Sequence, residues 1–156
     1  MADLGAGTGA CVLAAARAVG SQGKVYALEV QRELLSRIKD EALKNHLGNV
    51  EVIWADIEKV GGTKLRNYAV DAAIVSNVLF QIEDRENFIK EIKRILKPGG
   101  RVLIVDWSDS FGGLGPQSSA VIPPEKARAL FESAGFKFEQ VIDAGAHHYG
   151  IIMTRA

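Results

Sequence analysis

Three glycines near the start of the chain, Gly5, Gly7 and Gly9 in ADLGAGTGA, are the first residues whose spacing suggests chemistry. They separate a short apolar run from an alanine-rich one. That is the pattern of a strand-to-helix turn, where the main chain bends sharply and a ligand can come against the backbone. The spacing alone leaves the ligand open, because Gly5, Gly7 and Ala10 also satisfy the G-x-G-x-x-G/A fingerprint of dinucleotide binders. Glycines serving only a tight turn are the bland alternative. Glu29, about twenty residues beyond the loop and closing KVYALE, is placed to accept hydrogen bonds from both hydroxyls of a ribose. Read alone, it is a solvated strand-end acid; paired with the glycine loop at this distance, it is a ribose ligand. Asp56 in VIWADIE is placed to accept from an adenine amino group while Ile57 packs on the ring face, although aspartate is also a common turn residue.

Asp3 weighs between the two ligand classes. Two residues before the first glycine, it sets a carboxylate near the strand end where the pyrophosphate of a dinucleotide would approach. An anion there repels phosphate and favours the ammonium and sulfonium groups of S-adenosylmethionine. Methyl transfer from a sulfonium is an in-line displacement with an activated leaving group, so the protein chiefly aligns the reactants and excludes water. An acceptor that must lose a proton needs a base beyond the C-terminal ends of the strands, and Asp106, His147 and His148 are the candidates, with Trp107, Asp109 and Tyr149 nearby. The adjacent pair His147-His148 heads the last strand, so alternation points the two rings to opposite faces and they cannot both chelate one ion. No metal site is expected. One of the two faces the substrate space as a base near neutral pH; the alternative is a satisfied edge-of-sheet histidine. His46 ends a surface helix, which suits a helix C-terminal interaction better than a ligand role. Cys11 sits in the first turn of the helix after the glycines, where the helix N-terminus lowers a thiol pKa; small buried cysteines are nonetheless commonly inert.

The elements that must hold these residues alternate between strand-like and helix-like runs, the order of an α/β fold with a mostly parallel sheet. MADL is a short first strand, CVLAAARAV a helix able to lie close to a sheet, and KVYAL the second strand. QRELLSRIKDEALKNHL carries Leu34, Leu35, Ile38, Ala42 and Leu43 at three-and-four spacing and reads as a surface helix. VEVIW and VDAAIV are the third and fourth strands, with a loop or weak helix between them. Asp84 is an N-cap for RENFIKEIKRIL, which Lys97-Pro98-Gly99-Gly100 stops. RVLIVD is the fifth strand. The glycine- and proline-rich WSDSFGGLGPQSSAVIPP is the longest irregular stretch, of a length often found in lids or binding loops. A helix after Pro124 precedes two closing strands, 136–144 and 147–154, which form a hairpin, so at least one runs antiparallel.

Composition limits the partners. The 156 residues, 47% of them hydrophobic, suit a single domain spanning 1–156 with a real core. The formal net charge is zero, so no long-range field recruits nucleic acid or an anionic membrane surface. The single cysteine excludes an internal disulfide and structural zinc, which fits a reducing compartment. No apolar run spans a membrane and no signal peptide is visible; a cytoplasmic protein is expected.

On these residues the chain resembles the class I S-adenosylmethionine-dependent methyltransferases, in the small-molecule branch that includes the ubiquinone/menaquinone-biosynthesis type. DLGAGTG is similar to the family's first motif, ALE to its acidic ribose-binding residue, ADIE to its adenine-contacting segment, and DAAIVSNVLFQIED to the fourth strand and following loop. ILKPGGRVLIVDW is similar to the segment leading through the fifth strand, and AGF with HHYGIIM to the C-terminal hairpin. The resemblance covers nearly the whole chain. It implies a doubly wound, Rossmann-like sheet of seven strands in order 3-2-1-4-5-7-6, strand 7 antiparallel, with helices on both faces. It implies S-adenosyl-L-methionine as cofactor and a small-molecule methyl acceptor. Asp3, Gly5, Ala6, Gly7 and Gly9 would surround the methionine portion, Glu29 the ribose, and Asp56 and Ile57 the adenine, with Val30 also against the cofactor. Asn77 and Val78 would line the cofactor from the fourth strand's end. Family members usually carry an N-terminal helical segment over the cofactor, and none precedes the first strand here. Either a truncated protein has lost its lid, or a second subunit or the WSDSFGGLGPQSS loop supplies the cover; self-association as a homodimer through exposed apolar surface is expected. Two rival readings remain: a cofactor-binding module with lost or partner-dependent catalysis, and an NAD-dependent oxidoreductase.

Overall fold

Strands form where β-branched and small apolar residues cluster, and helices where apolar residues recur every three or four positions. The computed structural model, which describes residues 1–156, follows that division. In chain order it contains β1 (Ala2–Leu4), α1 (Ala10–Val19), β2 (Val25–Glu29), α2 (Arg32–Lys44), β3 (Val50–Trp54) and β4 (Val70–Ser76). There follow a 3-10 turn (Leu79–Gln81), α3 (Arg85–Ile95), β5 (Leu96–Trp107), a second 3-10 turn (Ser118–Ala120), α4 (Pro124–Ser133), β6 (Phe136–Ile142) and β7 (His148–Arg155). No helix is long and apolar enough to cross a membrane.

The seven strands make one sheet in the order β3-β2-β1-β4-β5-β7-β6, with β7 antiparallel to both neighbours. β1 has three residues, all buried, because it is hydrogen-bonded on both sides at the sheet centre. Alternation along the strands feeds two cores. Ala2, Leu4 and Leu28 look into the larger one, with Phe88, Ile92 and Ile95 of α3 and Ala127 and Phe131 of α4. Val25 and Ala27 look into the smaller one, with Val12, Ala15 and Ala16 of α1 and Ile38 of α2. Small residues on α1 allow that close approach. Helices thus cover both faces, and Asp3, between Ala2 and Leu4, cannot share their core.

Asp84 caps α3: its Oδ1 accepts from Asn87 N at 3.0 Å and its Oδ2 from Asn87 Nδ2 at 2.7 Å. Asp84→Ala is expected to lower unfolding free energy by about 1 kcal/mol, measured by denaturant titration; an unchanged midpoint would contradict the cap. β5 starts earlier than the expected Arg101. Its first residue, Leu96, pairs with Val70, the register then slips, and Arg101 pairs with Ala72. A bulge of this kind admits Pro98 to a strand that would otherwise reject it. β6 ends at Ile142, two residues short of expectation, and His147 stands just outside β7.

Candidate functional site

At the C-terminal ends of β1, β2 and β4 the glycine loop opens one side of a cleft of about 620 Å³, within the usual range for small-molecule sites. The loop is tied to β2 from within. Gly5 N and Ala6 N both donate to Leu28 O, at 2.8 and 3.0 Å, and Gly9 N donates to Ala6 O at 2.9 Å. Gly7 N donates to Glu29 Oε2 at 3.0 Å. The amides of Gly5, Ala6, Gly7 and Gly9 are therefore engaged by the fold itself, whereas a pyrophosphate loop needs such amides facing the ligand.

Gly5 has φ 79°, and a Cβ there would lie 2.6 Å from Val78 Cγ2 and 3.6 Å from Ile57 Cδ1. Only glycine lets Val78 close on the loop from the end of β4; Ile57, beyond β3, would stand at ordinary contact distance. Gly9, the α1 N-cap, is excluded from side-chain growth by Ile38, whose Cγ1 would be 2.8 Å from an added Cβ. It backs the loop and does not line the cleft.

Glu29 is buried and hydrogen-bonded through both oxygens. Its Oε1 accepts from Val30 N at 2.8 Å and Gln31 N at 3.0 Å, in addition to the Gly7 bond on Oε2. A carboxylate offers about four acceptor positions, so about one remains for a ligand hydroxyl, where the sequence suggested two. Asp3 is the opposite case. It is 2% exposed, lines the cleft, and its Oδ2 has no hydrogen-bond partner. Burial, reinforced by the nearby Glu29 charge, pushes its pKa up to about 7. An unpartnered buried carboxylate is costly unless a ligand donates to it.

Asp56 and Ile57 form the facing wall. Asp56 Oδ2 pairs with Lys59 Nζ at 2.8 Å and Oδ1 accepts from Glu58 N at 3.2 Å, and the Lys59 hydrogen bond lowers its pKa. Val30 lines the rim and is 55% exposed. Asn77 follows β4 with φ 56°, a left-handed conformation asparagine tolerates better than most residues and one that clusters at functional sites. Its amide donates to Val105 O at 2.9 Å, and its carbonyl accepts from Gln81 Nε2 at 2.9 Å. Cys11, Ser76, Gln81 and Glu58 also line the cleft, although no spacing pattern marks them as ligands. Burial and Asp3 push the Cys11 thiol pKa up despite a hydrogen bond with Ser76, reversing the helix-terminus expectation.

The acceptor-side candidates are not on the cleft lining. Asp106 shares the buried face of β5 with Val102 and Ile104. Its Oδ1 accepts from Trp107 N at 2.8 Å and its Oδ2 from Phe80 N at 3.2 Å, bracing the 3-10 turn that carries Gln81. Burial raises its pKa. His147 Nδ1 lies 3.0 Å from both Asp109 oxygens, and its ring stacks on Phe111 at 3.9 Å. The His148 ring stands 4.2 Å from Trp107, with Nε2 buried and without a partner. Tyr149 Oη is likewise buried without a partner, and its pKa is raised by burial.

Comparison with known proteins adds the family. A methyltransferase-domain model matches residues 1–146. The ubiquinone/menaquinone biosynthesis C-methyltransferase UbiE of Vibrio campbellii is 31% identical over 107 residues, 68% of this chain and 40% of that protein. The chain thus matches about two fifths of the length of that curated relative. Among solved structures, a SAM-dependent methyltransferase from Aquifex aeolicus superposes with TM-score 0.89 at 27% identity, covering 99% of this chain and 81% of that one. The methyltransferase CalH, solved with SAH, shares the fold with TM-score 0.80 at 18% identity, covering 99% of this chain and 51% of that one.

Proposed function

Since this chain belongs to the class I S-adenosylmethionine-dependent methyltransferases, in the UbiE-like branch and with S-adenosylmethionine as cofactor, we propose that it methylates a small-molecule acceptor by in-line displacement. The observation that carries this reading is Asp3, a buried carboxylate with one unpartnered oxygen on a cleft whose glycine-loop amides are already engaged. Those residues suit a cationic amino-acid ligand and not a pyrophosphate. When bound, the cofactor supplies a methyl group on a sulfonium, whose departure needs no acid from the protein. In this reading Asp3 holds the ammonium, Glu29 takes a ribose hydroxyl, and Asp56 and Ile57 address the adenine. Ala6, Gly7 and Asn77 approach through their backbone, and Val78 excludes water beside Gly5. The relative's name, a C-methyltransferase of quinone biosynthesis, directs the acceptor search to phenols and quinols activated at ring carbon. On the acceptor side, His147 is the base we favour, because Asp109 holds its Nδ1 and leaves Nε2 of a partly exposed ring to take a proton, whereas His148 Nε2 is buried and backbone amides engage Asp106.

Calorimetry against S-adenosylmethionine, S-adenosylhomocysteine and NAD tests the cofactor assignment. Binding of the two adenosyl compounds and none of NAD is expected; tight NAD binding with no response to the others would overturn it. An acceptor screen reading S-adenosylhomocysteine release then tests catalysis. Silence across phenols, quinols, amines and thiols would favour a binding module.

Asp3 also makes affinity depend on pH. With a pKa of about 7 in the free protein, it must lose its proton to meet the ammonium, so binding strengthens as pH rises through 7. The affinity for S-adenosylmethionine is expected to be roughly tenfold weaker at pH 6 than at pH 8, with the difference lost in Asp3→Asn. A flat profile in the unsubstituted protein would contradict this role.

A further inference from the structure

The cleft wall formed by Ala55, Asp56, Ile57 and Glu58 belongs to a segment with no regular structure between β3 and β4. Loops of this kind move unless they are tied down. This one is tied to α3 at two places. Glu58 Oε2 accepts from Glu83 N at 3.0 Å and Asp84 N at 2.9 Å, at the start of the helix. Two turns further along, Glu91 is fully buried in the middle of α3. Its Oε2 accepts from Gly61 N at 2.7 Å; its Oε1 accepts from Thr63 N at 3.1 Å and Thr63 Oγ1 at 2.5 Å. Arg94 donates to the same carboxylate through Nε at 2.8 Å and Nη2 at 2.7 Å, and reaches on through Nη1 to Asn67 Oδ1 at 2.9 Å. A charged group this deep in an apolar helix face is expensive unless every acceptor position is filled, and here each partner other than Arg94 lies on the loop or is positioned by it.

We infer that Glu91 is a positioning residue for the cofactor: through Gly61 and Thr63 it fixes the loop that presents Asp56 and Ile57 to the adenine. This deepens the proposed function and rests on it. The geometry accounts for a buried glutamate on the helix face that otherwise carries Phe88 and Ile92, where an apolar residue would pack without ionic partners. The clamp is also robust to acid. Burial alone would raise the Glu91 pKa, but Arg94, Thr63 and the two amides hold it down to about 2. A carboxylate depressed in the fold contributes stability above its ordinary value near 4.5, and that contribution fades only as pH falls from there toward 2.

The test uses Glu91→Gln and Thr63→Val, neither on the cleft, with Ile92→Val as a control that loosens the same helix without touching the network. Dissociation constants for S-adenosylhomocysteine and for S-inosylhomocysteine, which lacks the amino group Asp56 would accept from, are measured for each. Glu91→Gln is expected to weaken S-adenosylhomocysteine about five- to twentyfold and to shrink the preference for the adenosyl over the inosyl compound. Thr63→Val should do the same to a smaller degree, and it carries the test if Glu91→Gln fails to fold. Ile92→Val should lower the melting temperature while leaving affinity and base preference unchanged. The inference is overturned if the folded network variants keep both quantities, or if Ile92→Val shifts them equally. Failure of the unsubstituted protein to bind S-adenosylhomocysteine at all would instead defeat the proposed function.

Discussion

Gly5→Ala is expected to lower unfolding free energy by about 2–5 kcal/mol and, through the cleft side chain it displaces, to weaken S-adenosylhomocysteine binding. Two effects combine. The residue sits at φ 79°, where a non-glycine residue pays roughly 1–2 kcal/mol. The added Cβ would come 2.6 Å from Val78 Cγ2, an overpacking that typically costs about 1–3 kcal/mol. The clash is relieved by displacing Val78, which lines the cleft, so the relief itself reshapes the binding site. Gly7→Ala provides the internal comparison. Its φ is also positive, at 55°, but an added Cβ would meet nothing closer than Gly5 O at 3.9 Å. Strain without collision should give the milder loss. Calorimetry and thermal melts on both variants check the ranking; equal affinities for Gly5→Ala and the unsubstituted protein would show that the ligand does not use this turn.

The second large effect is at Glu29. Glu29→Ala removes the partner of three backbone amides, those of Gly7, Val30 and Gln31, and with it the acceptor for the ribose. Affinity is expected to fall by about 1.5–3 kcal/mol, roughly 10–150-fold, the range for a hydrogen bond to a charged group. Glu29→Gln tests whether shape or charge matters, because the amide turns one acceptor oxygen into a donor facing a backbone N–H. It should therefore lose most of what Ala loses. Unaltered affinity in both would place the ribose elsewhere.

Much of the scaffold was readable in the residues because its signals are local. The apolar stripe of α3 and the Asp84 cap need only sequence neighbours to be seen, and the hairpin of β6 and β7 follows from the lack of a helix between two apolar runs. Features that depend on contacts through space were not. The early start of β5 across Pro98 needs the register slip against β4, which no single-segment pattern reports. Asn77 takes its left-handed turn because its amide and carbonyl find Val105 and Gln81 from other segments. Glu91 reads as one more charge on a helix until the loop it holds is in place. The acceptor-side trio rests on a different kind of signal. Asp106 lies on the same parity as Val102 and Ile104, so strand alternation already pointed it into the buried layer, but its position at a strand end suggested chemistry. Within the cleft, the sequence identified the residues with distinctive types at known spacings, Asp3, Gly5, Gly7 and Glu29, and missed Ser76 and Gln81, whose types are common everywhere.

The central claim is that the glycine loop, Asp3 and Glu29 form a seat for a cationic nucleoside thioether. A crystal structure of the protein with S-adenosylhomocysteine tests it most directly. The ligand's amine is expected within hydrogen-bonding distance of the Asp3 carboxylate, a ribose hydroxyl on the Glu29 carboxylate, and the base beside Asp56 and Ile57. A ligand bound elsewhere with this cleft closed by protein side chains, or a phosphate group seated against the glycine loop, would contradict it.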